Sequence, residues 1–519
     1  MNLLEKVGQR FVVAFDGIEL NPTLRDWLLE CRPGGVILFG RNIKSIEQVA
    51  ALTTNLQDLA VQNGLPPFII AIDEEGGRVS RMSADGSPWI APSQMAQASA
   101  GIDAVRAAAG VTARRLQRMG INLNFAPVAD INNNPHNPVI GSRSYGSDSA
   151  IVAEMVAAAI EVYNAAEIGS CVKHFPGHGD TGVDSHFGLP VISHTRERLD
   201  AVELIPFRRA FAANVPALMT AHVMFPALEQ AVPVTLSRKF LTELLREVLG
   251  FGGLVFTDAL DMKAIAERYT PAESALATLR AGADVALPCF TMEIQRDTIR
   301  QMVSAASENA FELEEGLQRV LSFKERFCKP EQRAYSLDDL YQEALDAQTI
   351  LEVARESLTL VSVRSGFRFG VHVENPAVIE FTLPSASPVE EGRQATLLLR
   401  TLLSDHWENL RYLKLPAQPS TEQIALACHL ASTADNLTIL ARNAARNESQ
   451  AWALKELIKI QPHTVVVAAR DPYELNLTKD AAACLATFGD PPCSIRALAE
   501  VLLGKLTPVG KLPVRLEEV

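Results

Sequence analysis

Eight short runs rich in Val, Ile, Leu, Phe and Ala recur through the first two thirds of the chain: RFVVAFDG, GGVILFG, PFIIAIDEEGG, INLNFAPVAD, IGSCVKHFPG, VPALMTAHV, GGLVFTDAL and GADVALPC. Runs of this length, apolar throughout, are what a strand buried on both faces requires. Between most of them lie longer amphipathic stretches of helical period, such as SIEQVAALTTNLQDLAVQ and SDSAIVAEMVAAAIEVYNAAE. Eight strand–helix units predict an α/β fold, a (β/α)8 TIM-type barrel over residues 1–335. The polar residues of these runs are asymmetric. Asp73, Asp130, Lys173, His174, His222 and Asp258 all fall at or just beyond the C-terminal end of a run. In a barrel that end is the catalytic face.

After Cys289 two helical segments are expected, the second from about Ser336 to Glu356, giving a helical linker over 336–357. The apolar pattern restarts at Leu358 with LTLVSV, FGVHVE, VIEFTLP, RYLKLP, NLTILARN, TVVVAARD and CLATFG. Helical stretches separate the later runs, so residues 358–519 read as a second, smaller α/β domain with a mainly parallel sheet. That region has neither a GxGxxG nor a GxxxxGK[ST] stretch, and nothing in it points to nucleotide binding.

Composition narrows the class. A chain of 519 residues exceeds one ordinary core and is expected to form two or three domains. The formal charge of −13 disfavours nucleic acid or an anionic membrane surface as partner. Seven scattered cysteines without a CxxC suit free thiols in a reducing compartment. No apolar run reaches membrane-spanning length, and the N-terminal stretch lacks the apolar core of a secretory signal. A cytoplasmic protein is expected.

The stretch KHFPGHGDTGVDSHFGLP, Lys173 to Pro190, concentrates the candidate chemistry. His174, His178, Asp180, Asp184 and His186 are all possible metal ligands, yet the first run carries no HxH, and no metal is expected. Pro176, Gly177, Gly179 and Gly182 shape the loop, and His178 reads better as a satisfied loop residue than as a reacting one. His222 is equally compatible with a site-facing and a satisfied position. In DSH, an extended backbone would place Asp184 and His186 on one side. The carboxylate would then fix the imidazole tautomer and favour its protonated form, poising the ring to give and take a proton near neutrality. Asp258 ends the seventh run, across the barrel mouth. A lone carboxylate facing an acid/base suits double displacement at an acetal carbon. Two alternatives remain for this region: Asp258 as the cap of the following helix, and Asp261 as the competing carboxylate.

These residues resemble glycoside hydrolase family 3, in particular its bacterial β-N-acetylhexosaminidase branch. The resemblance rests on IDEEGGRVSRM, GINLNFAPVADINNNPHNPVIGSRSYG, KHFPGHGDTGVDSHFGLP, MTAHVMFPAL and GFGGLVFTDALDM, and covers nearly all of the first domain. ARDPYEL and GKLTPVGKLPVRL resemble the family's αβα sandwich more weakly. The resemblance implies Asp258 as nucleophile, His186 as general acid/base and Asp184 as its orienting partner. It further implies that Asp73, Arg81, Arg143, Lys173 and His174 hold an N-acetylglucosamine ring, with no cofactor. The activity implied is that of a retaining exo-β-N-acetylglucosaminidase acting on a small carbohydrate, with peptidoglycan-derived sugars expected as substrates. A family 3 β-glucosidase, an N-acetylglucosamine phosphorylase and a sugar-binding protein without catalysis are the alternatives. A histidine in place of a second carboxylate would let anionic phosphate approach, which keeps phosphorolysis open.

Overall fold

The eight apolar runs form eight parallel strands: β1 (Val12–Val13), β2 (Gly35–Leu38), β3 (Ile69–Ile72), β4 (Leu123–Asn124), β5 (Gly169–Phe175), β6 (Ala217–Thr220), β7 (Leu254–Ala259) and β8 (Val285–Leu287). They follow one another round the sheet in chain order, each parallel to the next. A bridge between Phe11 and Ala286, with Ala286 N donating to Arg10 O at 2.9 Å, brings the eighth strand back beside the first. The predicted α/β barrel is therefore present in this computed structural model, which describes residues 1–82, 90–329, 337–371, 374–382 and 398–516.

Strand alternation divides the apolar side chains between two cores. Ile69 and Ala71 point inward with Val12, Ile37, Leu123, Cys171, Leu254 and Phe256, whereas Ile70 and Ile72 pack outward under the helices. Phe125 meets Phe256 edge-on inside the barrel, ring centroids 5.4 Å apart. The helix Glu314–Phe327 contributes Val320, Phe323 and Phe327 to this inner core and floors the end opposite the site.

Three described helices, not two, lie between Cys289 and the second sheet: Met292–Ser307, Glu314–Phe327 and Leu337–Ser357. The third corresponds to the expected linker, whose first residue, Ser336, lies outside the described residues. Its Ile350 and Ala354 share a core with Ala108 and Val111 of the barrel helix Ile102–Arg118, and Asp346 accepts from Arg114 Nε at 3.0 Å.

The second sheet contains β9 (Thr359–Val363), β10 (Pro376–Thr382), β11 (Arg411–Pro416), β12 (Asn436–Ala441), β13 (Thr464–Ala468) and β14 (Ala483–Ala486). Its order is β9-β14-β13-β12-β10-β11, and only β9 is antiparallel to its neighbour. Successive residues face opposite sides. Ile379, Ile439 and Val466 pack with Ile424, Leu454 and Leu457 on one face; Val378, Val465 and Val467 pack with Leu399, Leu403 and Leu498 on the other. This is a sheet between two helical layers. The expected FGVHVE strand does not form over Phe369–Val371, which is turn and loop, and His372 and Val373 lie outside the described residues.

A buried arginine braces the barrel floor. Arg10 donates to the carbonyls of Asp284 (2.5 Å), Ala283 (2.8 Å), Glu312 and Leu313 (both 3.0 Å). A Cβ on Gly316 would stand 2.2 Å from its Cζ. Gly to Ala inside a helix ordinarily stabilises by about 1 kcal/mol. Here four carbonyls pin the guanidinium, so Gly316→Ala is expected to destabilise by about 1–3 kcal/mol through overpacking. Urea unfolding checks this; an unchanged or raised midpoint would show that Arg10 gives way freely.

Candidate active site

The strand β3 leaves the barrel as Asp73-Glu74-Glu75, and alternation sends Asp73 and Glu75 toward the axis. Both meet cations from other elements. Lys173 Nζ, at the end of β5, lies 2.7 Å from Asp73 Oδ1 and 2.7 Å from Glu75 Oε1. Arg81 Nη2 reaches Asp73 Oδ2 at 3.1 Å. Arg143 grips Glu75 with two bonds of 2.8 Å, from Nε and Nη2. Burial alone would neutralise these groups, but the pairing wins. Lys173 and Arg81 hold Asp73 below its usual range, and Arg143 and Lys173 do the same for Glu75. Lys173 and Arg143 are raised in return by the same carboxylates, so all remain charged.

The loop after β5 is organised by another buried carboxylate. Asp130 Oδ2 lies 2.6 Å from His174 Nδ1, while Oδ1 accepts from the amides of His174 (3.2 Å) and His178 (2.7 Å). Arg143 Nη2 stands 3.4 Å from His174 Nε2. Arginine only donates, so Nε2 is the acceptor and Nδ1–H faces Asp130. His178 is buried between Thr181 Oγ1 (2.8 Å to Nδ1) and Ser185 Oγ (3.2 Å to Nε2), and burial lowers its pKa to about 4. It is a satisfied loop residue, as the sequence reading preferred. Gly179 is required by packing: a Cβ there would stand 1.7 Å from Ile131 O.

Asp184 and His186 do form a pair, with Nδ1 and Oδ1 2.7 Å apart, but not on extended backbone. Residues 184–188 turn, with Asp184 O accepting from the amides of Phe187 (2.9 Å) and Gly188 (3.1 Å). Asp184 Oδ1 also accepts the His186 amide at 2.9 Å. One carboxylate thus sets both the turn and the ring. With Nδ1 on Asp184, proton exchange with a ligand falls to Nε2.

Asp258 lies within β7, and the helix beyond it, Lys263–Ala266, has Met262 at its N-cap, so Asp258 does not cap it. Its Oδ1 accepts from Ala259 N at 2.8 Å. Burial opposes its charge, yet His222, His174 and His186 hold its pKa below the usual range. His222 is fully buried, with Nε2 donating to Ala259 O at 3.0 Å and Nδ1 2.8 Å from Thr235 Oγ1. It is a satisfied neighbour that steadies the strand end carrying Asp258. Asp261 stands at the cavity mouth, where desolvation and the nearby Asp258 push its pKa to about 6.

These groups line one cavity of about 230 Å³, roomy enough for a single sugar ring. Asp73, Arg81, Arg143, Lys173, His174, His186 and Asp258 all face it, and Asp184 stands behind His186. Sequence reasoning missed Glu75, and it placed Asp130 at a strand end without a role. The i, i+2 spacing of Asp73 and Glu75 after an apolar strand was the available signal. Among the described residues no group of three His, Cys, Asp or Glu side chains is arranged to hold a metal ion, and no helix is long and apolar enough to cross a membrane.

The cavity opens at the C-terminal end of the barrel strands, and its lining brings Asp258 and the Asp184-paired His186 together with the paired charges of Asp73, Arg81, Arg143 and Lys173. The profile described as "Glycosyl hydrolase family 3 N terminal domain" matches residues 2–323, and the chain belongs to that family. It is 37% identical over 300 residues to "Beta-hexosaminidase A" of Pseudoalteromonas piscicida, covering 54% of this chain and 50% of that protein. It is 36% identical over 297 residues to a "Beta-hexosaminidase" of Alkalilimnicola ehrlichii, covering 56% and 83% respectively. The chain thus spans only half the length of the first of these curated relatives. A solved glycoside hydrolase family 3 beta-N-acetylglucosaminidase from Paenibacillus sp. str. FPU-7 superposes with a TM-score of 0.92 at 34% identity, over 99% of each chain.

His178 gives the loop a pH signature. Its folded pKa of about 4 lies below the ordinary 6.5, so the unfolded chain binds its proton first on acidification. Its contribution is complete above about 6.5 and is lost progressively as pH falls toward 4. Urea midpoints between pH 7 and 4.5 should therefore fall less steeply in His178→Gln than in the parent; equal slopes would contradict this.

Proposed function

We propose that the chain is a retaining, exo-acting β-N-acetylglucosaminidase. The observation that carries this reading is one sugar-sized cavity lined by Asp258 and the Asp184-oriented His186, with a wall of paired charges beside them. The names of its relatives support the same activity. Asp73, Arg81, Arg143, Lys173 and His174 would hold the hydroxyls and the N-acetyl group of the terminal sugar. Neutral sugars need such fixed, charge-assisted donors and acceptors to be oriented.

Asp258 attacks the anomeric carbon as His186 Nε2–H protonates the departing glycosidic oxygen. A glycosyl ester on Asp258 forms, His186 is left neutral, and it then takes the proton of the incoming water. The ester C–O bond breaks and the sugar leaves with its configuration retained. An imidazole in the acid/base position adds no second negative charge beside the nucleophile, unlike the usual carboxylate pair. The same feature favours a second reading, in which phosphate attacks the glycosyl ester to give a sugar 1-phosphate.

We read residues 1–335 as the catalytic barrel, 336–357 as the helical linker and 358–519 as the sandwich domain. Small peptidoglycan-derived sugars bearing a terminal N-acetylglucosamine, processed in the cytoplasm, are the proposed substrates. Release of 4-nitrophenol from its β-N-acetylglucosaminide, compared with the β-glucoside, tests the sugar preference, and added phosphate separates the two acceptors. Turnover of the N-acetyl substrate should persist in EDTA.

Asp258→Asn should lower kcat by about a thousandfold or more while substrate still binds. Near-parental turnover would remove the nucleophile assignment. His186→Ala should cost about a hundredfold or more with an alkyl leaving group and far less with 4-nitrophenol, which departs without a proton. Equal losses on the two substrates would argue against an acid role.

A further inference from the structure

Arg143 sits in a segment that cannot hold a buried charge by itself. Between β4 and the helix Ser149–Ala165 the chain forms only one short turn of 3₁₀ helix, Gly141–Arg143. The barrel braces this segment from one side: Arg78 Nη2 donates to Val139 O at 2.7 Å and Ile140 O at 2.8 Å. The other brace comes from the second domain. Asp471, just beyond β13, accepts the Ser142 amide on Oδ1 at 2.8 Å, one residue before Arg143. Its Oδ2 is held by Arg446 Nη2 at 2.7 Å, and its side chain is only 3% exposed. Two residues on, Tyr473 Oη accepts from Asn132 Nδ2 at 2.7 Å.

Gly141 shows that the space is reserved for this carboxylate. Its φ is +46°, and a Cβ there would stand 2.3 Å from Asp471 Oδ1. Burial works against the Asp471 charge, but Arg446 and Arg78 keep its pKa below the usual range, so the acceptor is an anion. A carboxylate on a backbone amide in a buried setting is a strong, directional tether.

We propose that Asp471 of the second domain is a positioning residue for the sugar subsite: it fixes the Ser142 amide and so holds Arg143 against Glu75 in the cavity wall. The chain of contacts runs from Asp471 to Ser142, through the backbone to Arg143, and on to Glu75 and Lys173. The second domain then acts on the sugar subsite from outside, with none of its described side chains lining the cavity. This rests on the assignment of Arg143 to sugar binding made above.

The test is a double-mutant cycle read by competitive inhibition with free N-acetylglucosamine, which reports the sugar subsite alone. Asp471→Ala should raise Ki about tenfold, the size of one lost charge-assisted contact. Asp471→Asn, which keeps an oxygen for the Ser142 amide, should recover most of that affinity. Combined with Arg143→Gln, Asp471→Ala should add nothing, because both remove the same interaction. Should Asp471→Ala not fold, Gly141→Ala crowds the same carboxylate and should raise Ki likewise. A lowered melting midpoint with parental Ki would overturn the proposal and leave Asp471 as interface packing, as would losses that add to those of Arg143→Gln. If Arg143→Gln itself leaves Ki unchanged, the sugar-subsite reading fails first, and the proposal with it.

Discussion

The site depends on two carboxylates, Glu75 buried and Asp73 largely so, that hold three cations. Asp73 and Glu75 share Lys173, Asp73 takes Arg81, and Glu75 takes both arms of Arg143. Removing one partner from such a cluster leaves an uncompensated buried charge, which typically costs about 3–5 kcal/mol. The members come from β3, from the hairpin that follows it, from the segment after β4 and from β5. One electrostatic lock therefore fixes four chain segments. It also lines the cavity wall with oriented donors and acceptors.

Asp258 and His186, the proposed reacting groups, stand apart from this lock and are held differently. Asp258 is kept ionised by surrounding imidazoles, with no direct cationic partner among its described bonds, so its oxygens are not committed to a salt bridge. His186 is tied through Nδ1 to a carboxylate that also builds the turn carrying it. His178 and Asp130 hold the rest of that loop through hydrogen bonds within it. Rigidity and reactivity are thus assigned to different residues within a few positions of each other.

The barrel was legible because buried parallel strands leave continuous apolar runs, and because polar groups cluster at one end of them. Register and length were not legible: β1 and β4 are two residues each, although their runs are several residues longer. The expected pairing of Asp184 with His186 is present, but the extended backbone expected to produce it is not: the segment is a turn set by the aspartate itself. FGVHVE reads as a strand from its spacing, yet Phe369 and Gly370 lie in a turn. Glu75 and Asp471 escaped notice for a common reason. Each acts through a partner distant in sequence, Glu75 through Arg143 and Asp471 through Ser142, and no local pattern encodes such a meeting.

The most direct test is to trap the intermediate. Incubation with a 5-fluoro-β-N-acetylglucosaminyl fluoride, followed by mass spectrometry of intact protein and its peptides, reads which atom the sugar is joined to. The account predicts one glycosyl adduct, on the peptide containing Asp258 and absent from Asp258→Asn. An adduct on Asp261 or elsewhere, or turnover without any adduct, would contradict it.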